Sequence, residues 1–453
     1  MQETITERSC KEAGWRPSRY LIYAQIPDRE SYVMMNLYQG SFVVLSKEEA
    51  WLLSIVEELA EDHPALEKLK KYGLIVNFDE REALNVAGRM SFGTTNSIGL
   101  TICPTMGCNF DCPYCFENHR PGRMSPETQE EVISLAERMM TFFGAHNMTV
   151  MWFGGEPLLA PDVIEKMTAR LKALTEARGG EYRAKIITNG YFLNEENIAM
   201  LKRCDIDMAQ VTLDGLGEQH DHTRHLAGGG GTFDRIAFNL KNHKIPIKVS
   251  IRHNVYADNL SQIEPLKKFV EETARESGNH LKYYSALVSG SAVMEERGNL
   301  VDRLGDEAGI REISMRLEAE RYGAKPGSYC TANHLYSVGV DDQGRLFMCW
   351  EDVDKPEKSF GQAGTWDPKD PIRTAENPDR LSSYLNTCCP SVAGKCRECL
   401  WLPMCCGGCP KRVLEGEDVC YPFKDDPQAF ALAVYKALGE KNREKKEADG
   451  PLC

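Results

Sequence analysis

Long apolar runs are missing from this chain of 453 residues. No stretch reaches the length of about 18 apolar residues that can span a bilayer, and no apolar export segment follows Met1. Basic residues are in the minority, since 67 Asp and Glu stand against 54 Lys and Arg and give a net charge of -13. We therefore expect a cytoplasmic protein that binds neither a membrane nor nucleic acid.

Cysteine is abundant, with 17 residues. A disulfide framework is improbable in a long chain without an export signal. Ligation of metal ions or iron-sulfur clusters accounts for so many thiols in a reducing compartment. The length of the chain also predicts two or three domains.

Three of these cysteines, Cys108, Cys112 and Cys115, are separated by three and then two residues. One short loop with this spacing can wrap three corners of a [4Fe-4S] cube and leave one iron open to a ligand that is not protein. A structural zinc site more usually pairs two Cys-x-x-Cys knuckles, so zinc is the weaker alternative.

This segment resembles the signature loop of the radical S-adenosylmethionine (SAM) enzymes, which place an aromatic residue where Tyr114 stands. The resemblance implies that the three cysteines hold a [4Fe-4S] cluster and that Tyr114 contacts SAM. It also implies that SAM is cleaved to a 5'-deoxyadenosyl radical, which removes a hydrogen atom from the substrate. No protein acid or base is assigned to this step.

Between about residues 96 and 290, strand and helix patterns alternate and predict a parallel sheet. The predicted strands are 98–102, 149–153, 184–188, 208–213, 247–253 and 281–286. The predicted helices are 126–143, 162–177, 195–203, 233–242 and 260–275. The resemblance implies an α/β fold in which these elements form a partial (β/α)6 TIM barrel that is open on one side.

Three motifs directly follow predicted strands, which is where barrel enzymes place their chemistry. They are the cysteine loop, the Gly-Gly-Glu-Pro sequence of residues 154–157 and the Thr-Asn pair of residues 188–189. Taken alone, Gly-Gly-Glu-Pro is an ordinary strand-ending turn. The resemblance implies a SAM site in which Gly154, Gly155 and Glu156 hold the amino group, Thr188 and Asn189 contact the ribose, and Thr212 and Arg224 hold the carboxylate.

Residues 220–225 contain three histidines and an aspartate. This cluster has the composition of a metal site, but an exposed polar loop explains it as well.

A second group of cysteines lies toward the carboxyl end among Gly and Pro residues, which indicates a backbone shaped by ligation. The group resembles the SPASM extension of radical SAM proteins. That resemblance implies two auxiliary [4Fe-4S] clusters, one held by Cys396, Cys399, Cys405 and Cys420 and the other by Cys330, Cys349 and Cys409. The chain would then hold three clusters. The fourth ligand of the cluster held by Cys330, Cys349 and Cys409 stays open between Cys388, Cys389, Cys406 and an iron that is free for a substrate thiolate.

The first 90 residues predict strands at 20–26, 32–37, 42–45 and 74–78 and helices at 47–58 and 64–72. They resemble the small winged-helix module that recognises leader peptides, which implies a leader strand bound at a sheet edge. A cap that only packs on the barrel is the alternative.

We expect a winged-helix domain (1–90), the barrel (96–290), a helical linker (291–329), the SPASM domain (330–425) and a terminal helix and tail (426–453).

The whole resemblance implies a peptide-modifying radical SAM oxidoreductase of the sactipeptide or ranthipeptide type, which forms thioether crosslinks in a ribosomally made precursor peptide. Its partners would be that precursor and an electron donor of the flavodoxin or ferredoxin type. An anaerobic sulfatase-maturing enzyme is the alternative, but such enzymes typically place Asp after the cysteine aligned with Cys349, where this chain has Trp350. A non-catalytic iron-sulfur scaffold would leave the Gly-Gly-Glu-Pro motif unexplained.

Overall fold

The computed structural model describes residues 14–27, 29–59, 63–93, 95–287, 307–322, 330–387 and 394–448. The chain divides into two compact units. The first consists of Met1–Ser91, Asp306–Tyr329 and Cys389–Cys453, and the second of Phe92–Gly305 and Cys330–Cys388. Within the described ranges, no helix is both long and apolar enough to cross a membrane.

The first unit contains a two-stranded and a three-stranded sheet, both antiparallel. Its strands are β1 (Arg16–Pro17), β2 (Leu21–Gln25), β3 (Ser31–Asn36), β4 (Ser41–Ser46) and β5 (Ile75–Val76). β1 pairs with β5, and the larger sheet has the order β2-β3-β4. The helices that lie or begin in this unit are Lys47–Trp51, Pro64–Lys71, Glu80–Gly93, Glu307–Arg321, Leu402–Cys405, Pro410–Leu414 and Pro427–Ala448, with 3-10 helices at Leu52–Glu58 and Gly394–Cys396.

The strands and helices predicted for residues 20–78 are present, although the helix predicted over 47–58 becomes a 3-10 helix after Trp51. This helix begins at a capping box, in which the Ser46 hydroxyl accepts from the Glu49 N–H at 3.2 Å and the Glu49 carboxylate accepts from the Ser46 N–H at 2.9 Å. The sequence did not predict Glu80–Gly93 or the pairing of β1 with β5.

One aromatic cluster forms the centre of the first unit. The ring of Trp401 lies 5.8 Å from that of Tyr421, 5.4 Å from Phe423 and 5.2 Å from Phe430, measured between centroids. Its indole N–H donates to the Lys424 carbonyl at 2.9 Å. The same buried cluster includes side chains of β2 and β3. The amino-terminal sheet therefore shares one core with the segment that carries the carboxyl-terminal cysteines.

The second unit is organised by a nine-stranded sheet with the order β11-β10-β9-β8-β7-β6-β12-β13-β14. Its strands are β6 (Ser97–Ile102), β7 (Asn147–Trp152), β8 (Tyr182–Thr188), β9 (Ile206–Thr212), β10 (Lys248–Val255), β11 (Leu281–Leu287), β12 (Ser337–Val340), β13 (Arg345–Phe347) and β14 (Gly361–Gln362). β6 to β11 are parallel, β12 joins β6 in parallel, and β13 and β14 are antiparallel additions.

Helices connect the parallel strands of this sheet. They are Pro126–Phe143, Pro161–Glu176, Glu195–Arg203, Glu218–Thr223, Phe233–Asn242 and Ile263–Ser277, and Pro378–Asn386 follows the last strand. Short 3-10 helices occur at Pro157–Leu159, Ala257–Gln262, Thr331–Asn333, Trp350–Asp352 and Pro356–Lys358.

The prediction of a mixed α/β fold with a parallel sheet is confirmed, and all six predicted parallel strands are present. The last predicted helix starts three residues later, at Ile263, because Ala257–Gln262 forms a 3-10 helix. The sequence did not predict that β12 extends the sheet beyond β6. Gly99 makes room for this pairing, since a Cβ there would lie 2.8 Å from the Ser337 hydroxyl. The winged-helix and SPASM identities stay predictions.

Replacing Trp401 with Ala should destabilise the first unit, because the ring is buried among three aromatic side chains. The expected loss is about 3–5 kcal/mol of unfolding free energy, measured by urea titration. Trp51→Ala is the control. The Trp51 side chain is 60% exposed, so this change should stay within about 0.5 kcal/mol of wild type. Equal losses in the two variants would contradict the assignment of Trp401 to the core.

Candidate active site

A cavity of about 220 Å³ opens at the carboxyl ends of β6 to β10. Five consecutive parallel strands or the loops after them contribute to it, as expected for the catalytic edge of a barrel. Its lining includes Cys108, Phe110, Cys112, Tyr114, Cys115, Glu117, His119, Phe153, Gly154, Gly155, Thr188, Asn189, Gln210, Thr212, Arg224, Arg252, Asn254, Trp350 and Glu351.

The three cysteines of the loop after β6 all line this cavity. Burial raises the pKa of the Cys108 thiol to about 12, with smaller contributions from Glu156 and Cys112. Burial likewise raises the pKa of Cys115, with contributions from Cys112 and Cys108. Because the three thiols line one cavity, they form a donor set that can bind iron in place of their protons.

The Gly-Gly-Glu-Pro turn lies directly against the cysteine loop. The Glu156 N–H donates to the Gly107 carbonyl at 2.8 Å. Gly154 has φ +102°, a conformation that favours glycine, and a Cβ on Gly155 would lie 2.4 Å from the Gly107 oxygen. Both glycines are needed for this close approach, so the motif is more than an ordinary strand-ending turn.

The Glu156 carboxylate is fully buried and binds the end of β8. It accepts hydrogen bonds from the Thr188 hydroxyl at 2.8 Å, the Leu158 N–H at 2.9 Å and the Asn189 N–H at 2.7 Å. Burial raises its pKa to about 7, although these three bonds act in the opposite direction. Gly154 and Gly155 line the cavity, whereas the Glu156 side chain fixes the residues after β8 in position.

Tyr114 connects the cysteine loop to the ends of β9 and β10. Its hydroxyl donates to the Asp214 carboxylate at 2.5 Å and accepts from the Arg224 guanidinium at 2.8 Å and the Asn254 amide at 3.3 Å. Burial raises the pKa of Asp214, and the positive charge of Arg224 opposes that shift. Among the described residues, the buried Nε of Arg224 has no hydrogen-bond partner, which suits an anionic group of a ligand.

The cluster of residues 220–225, for which an exposed polar loop was one explanation, begins in the helix Glu218–Thr223 and is only partly exposed. His220 is fully buried, and its ring nitrogens bind the Asp214 N–H at 3.2 Å and the Thr232 hydroxyl at 3.1 Å. Burial lowers its pKa well below the usual value, so the ring is neutral. The Asp221 carboxylate accepts from the N–H groups of Thr232 and Phe233. These side chains stabilise the loop after β9.

Gln210, Arg252 and Asn254 line the cavity but were not predicted from the sequence. Arg252 and Asn254 alternate with fully buried residues along β10. The two-residue period of a strand would therefore have placed both side chains on the same face of the sheet. Arg252 Nε donates to Asn254 Oδ1 at 2.7 Å. Trp350 reaches the cavity from a distant part of the chain, and its ring lies 5.1 Å from that of Phe153.

The other cysteines are divided between the two units. Cys330 and Cys349 belong to the second, where burial raises the pKa of Cys349 and the nearby Cys330 adds to the shift. Cys396, Cys399, Cys405, Cys409 and Cys420 belong to the first. There, burial raises the pKa of Cys405 to about 12, with contributions from Cys399 and Cys396. Cys388 and Cys389 lie outside the described residues. Both auxiliary ligand sets stay predictions.

Residues 102–270 match the Radical SAM superfamily. The chain therefore contains a radical SAM domain, and the protein is an enzyme. It is 29% identical over 242 residues to an Fe-coproporphyrin III synthase of Methanosarcina barkeri, which is 51% of this chain but only 56% of that relative.

Two further relatives are maturation enzymes. A serine-type anaerobic sulfatase-maturating enzyme of Bacteroides thetaiotaomicron is 23% identical over 351 residues, 68% of this chain and 82% of that protein. The sporulation killing factor maturation protein SkfB of Bacillus subtilis is 25% identical over 233 residues, 50% of this chain and 52% of that protein. Both kinds of maturase are thus similar to this chain at low identity.

Solved structures show the same fold. The structure of anSMEcpe with bound AdoMet and the Cp18Cys peptide superposes with a TM-score of 0.57 at 18% identity, covering 77% of this chain and all 100% of that one. Streptococcus suis SuiB bound to the precursor peptide SuiA gives a TM-score of 0.50 at 16% identity, covering 91% of this chain and 99% of that one.

Replacing Gly155 with Ala should disturb the cysteine loop, because the added Cβ would lie 2.4 Å and 2.7 Å from the backbone oxygens of Gly107 and Met106. The expected cost is about 1–3 kcal/mol of unfolding free energy. Less iron should also bind after anaerobic reconstitution. Gly228→Ala, at a site with no neighbour within 4 Å, is the control and should match wild type. Unchanged stability and iron content in Gly155→Ala would contradict the close contact.

Glu156→Gln should change how stability depends on pH. Folded Glu156 keeps its proton until about pH 7, whereas the ordinary value is 4.5, so the folded state binds more protons between these values. In wild type, the stabilisation that protonated Glu156 contributes is fully present below pH 4.5 and is lost as the pH rises through about 7. The unfolding free energy of the variant minus that of wild type should therefore increase between pH 5 and 7, as measured by urea titration of the apoprotein. A constant difference would contradict the shift.

Proposed function

We propose that this enzyme is a radical SAM peptide maturase that forms a thioether or related crosslink in a ribosomally made precursor peptide. The observation that carries the proposal is the meeting of the Cys108–Cys112–Cys115 thiols and the Gly154–Gly155 backbone at one cavity. Three thiols beside a glycine-lined surface at the carboxyl edge of a parallel sheet match what the radical SAM reaction requires.

In this proposal, Cys108, Cys112 and Cys115 hold a [4Fe-4S] cluster, and SAM occupies the adjacent cavity. The cluster and SAM together supply a 5'-deoxyadenosyl radical, which protein side chains cannot generate. The protein binds and orients both groups. The Tyr114–Arg224 pair, with the partnerless Nε of Arg224, receives the SAM carboxylate together with Thr212, while Thr188 and Asn189 contact the ribose.

Gly154 and Gly155 line the cavity, and in this proposal their backbone contacts the SAM amino group. The Glu156 carboxyl group lies behind them and connects the turn to the end of β8 through its three hydrogen bonds. The aromatic rings of Phe110, Phe153 and Trp350 line the cavity and exclude water from the reacting centre.

A peptide substrate is supported by two similar proteins, since SuiB is solved with its precursor peptide and SkfB is named as a maturation protein. We place the leader of the precursor on the amino-terminal domain, residues 1–90. β4 is an edge of the sheet there, and an extended peptide can add to such an edge through main-chain hydrogen bonds.

The carboxyl-terminal cysteines, in this proposal, form a SPASM domain (330–425) that holds two auxiliary [4Fe-4S] clusters in the ligand sets predicted above. Their function is to accept the electron that the substrate radical must lose. A flavodoxin or ferredoxin supplies the electron that starts the reaction. The clustered thiols around Cys396, Cys399 and Cys405 support this assignment.

Sulfatase maturation is the second candidate function, because two sulfatase-maturating enzymes match 68% and 69% of this chain. The residue after Cys349 disfavours it. Trp350 occupies this position and packs against Phe153 in the cavity wall. An indole cannot replace the carboxylate that those enzymes typically carry there.

The test incubates reduced, anaerobically reconstituted enzyme with SAM and candidate precursor peptides encoded by neighbouring cysteine-rich reading frames. A thioether joins a carbon and a cysteine sulfur, so the product should lose two hydrogen atoms and one thiol that reacts with iodoacetamide. Mass spectrometry measures both losses, and chromatography measures 5'-deoxyadenosine. Conversion of a Cys or Ser of a sulfatase peptide to formylglycine would favour the second candidate instead.

The controls separate the cluster from the other thiols. The triple variant Cys108→Ala, Cys112→Ala, Cys115→Ala should lose the 5'-deoxyadenosine product. Cys204→Ala should retain it, since Cys204 is a buried thiol whose Sγ contacts the Met200 sulfur at 3.7 Å, away from the cavity. Unchanged precursor mass while 5'-deoxyadenosine accumulates would contradict the proposal for that peptide. No cleavage of SAM by wild type would contradict the radical mechanism altogether.

A further inference from the structure

Two polar side chains of the loop after Cys115, those of Glu117 and His119, lie near the sulfur of Cys115. His119 Nε2 lies 3.5 Å from Cys115 Sγ. Ligand atoms of Cys115, Glu117 and His119 all lie within 4.8 Å of one another, and all three residues line the cavity. Neither Glu117 nor His119 was predicted as a site residue.

The residues on either side of His119 are held in place by buried carboxylates. The Asn118 N–H donates to Asp354 at 2.7 Å. The Arg120 guanidinium donates to Asp354 at 3.3 Å and to Asp342 at 2.8 Å. Both aspartate side chains are only 3% exposed, and charge-assisted bonds of this kind are strong. The segment that carries His119 is therefore anchored on both sides of that residue.

Three roles are open to an imidazole at this distance from a thiol that binds iron. Coordination of a second iron of the same cube does not fit, because His119 Nε2 and Cys115 Sγ are in hydrogen-bond contact, closer than ligands on two corners can be. A single metal ion held by Cys115, Glu117 and His119 would remove Cys115 from the cube. A hydrogen bond to the sulfur leaves Cys115 available for iron.

A hydrogen bond from His119 to the sulfur also agrees with the chemistry of the acceptor. An iron-bound thiolate has no proton, so it can only accept, and the imidazole must donate through Nε2–H. The Phe110 N–H makes a comparable contact, since it donates to the Cys108 sulfur at 3.4 Å. His119 gives the Cys115 corner a donor that is a side chain.

We propose that His119 is a positioning residue that donates a hydrogen bond to the Cys115 thiolate and so raises the reduction potential of the cluster. This inference rests on the proposed function, in which Cys115 binds one iron. Donation to the sulfur draws charge away from the thiolate and stabilises the reduced cluster, which carries one more negative charge. Hydrogen bonds to the sulfurs are among the features that set cluster potentials.

The experiment is an EPR-monitored redox titration of the full chain, reconstituted anaerobically, for wild type, His119→Ala and His119→Gln. The signal that changes when SAM is added identifies the cluster with the open iron among the others. At the wild-type midpoint, the ratio of reduced to oxidised cluster should be roughly tenfold lower in His119→Ala, equivalent to a midpoint about 59 mV lower for one electron.

His119→Gln should lie between the other two proteins, because its amide can still donate. The control is His146→Ala, which removes an exposed imidazole bonded to the Arg178 carbonyl at 2.7 Å and should titrate as wild type. Iron content, measured by metal analysis, should be the same in all four proteins.

An unchanged midpoint in His119→Ala with full iron content would overturn the inference. Loss of the SAM-responsive cluster in both His119 variants would overturn it as well, since His119 would then be needed for assembly. Binding of one zinc ion by wild type but not by His119→Ala, in place of cluster iron, would assign the three residues to a mononuclear site. Absence of a SAM-responsive signal in wild type would instead refute the proposed function.

Discussion

The contact between the cysteine loop and the Gly-Gly-Glu-Pro turn is the constraint on which the site depends. The Glu156 N–H binds the Gly107 carbonyl, and the absence of a Cβ at Gly155 lets the two backbones meet. The Glu156 carboxylate then extends this contact to Thr188 and Asn189 at the end of β8. One turn thus connects three neighbouring strand ends, and a shift of either loop would open the cavity that they surround.

Two buried networks of charged side chains flank the cysteine loop. Tyr114 connects Asp214 and Arg224 on one side of the cysteine loop, while Arg120 binds Asp342 and Asp354 on the other. Buried charges without partners would be costly, so these pairs hold the loop in one geometry rather than several. A cluster bound there would meet ligands that are already oriented, which reduces the reorganisation needed during electron transfer.

The first unit shows how distant segments fold together. Trp401, between Cys399 and Cys405, packs in the same core as β2 and β3 of the amino-terminal sheet. Glu398 also forms ion pairs with Arg19 at 2.7 Å and Arg81 at 2.5 Å. In the proposed function, the leader-binding sheet and one auxiliary cluster would therefore belong to a single folded body, although almost 400 residues of sequence separate Arg19 from Glu398.

The sequence by itself determined the parallel strands and their helices, because the period of apolar residues decides which local element can bury them. It also determined the cysteine, Gly-Gly-Glu-Pro and Thr-Asn motifs, because residue spacing is a local property of the chain. Tertiary structure alone decided that Trp350 lines the cavity, that β12 pairs with β6 and that Asp354 holds the loop around His119. These contacts join residues far apart along the chain. Such contacts form only when whole elements pack together, so they cannot be predicted from a local sequence pattern.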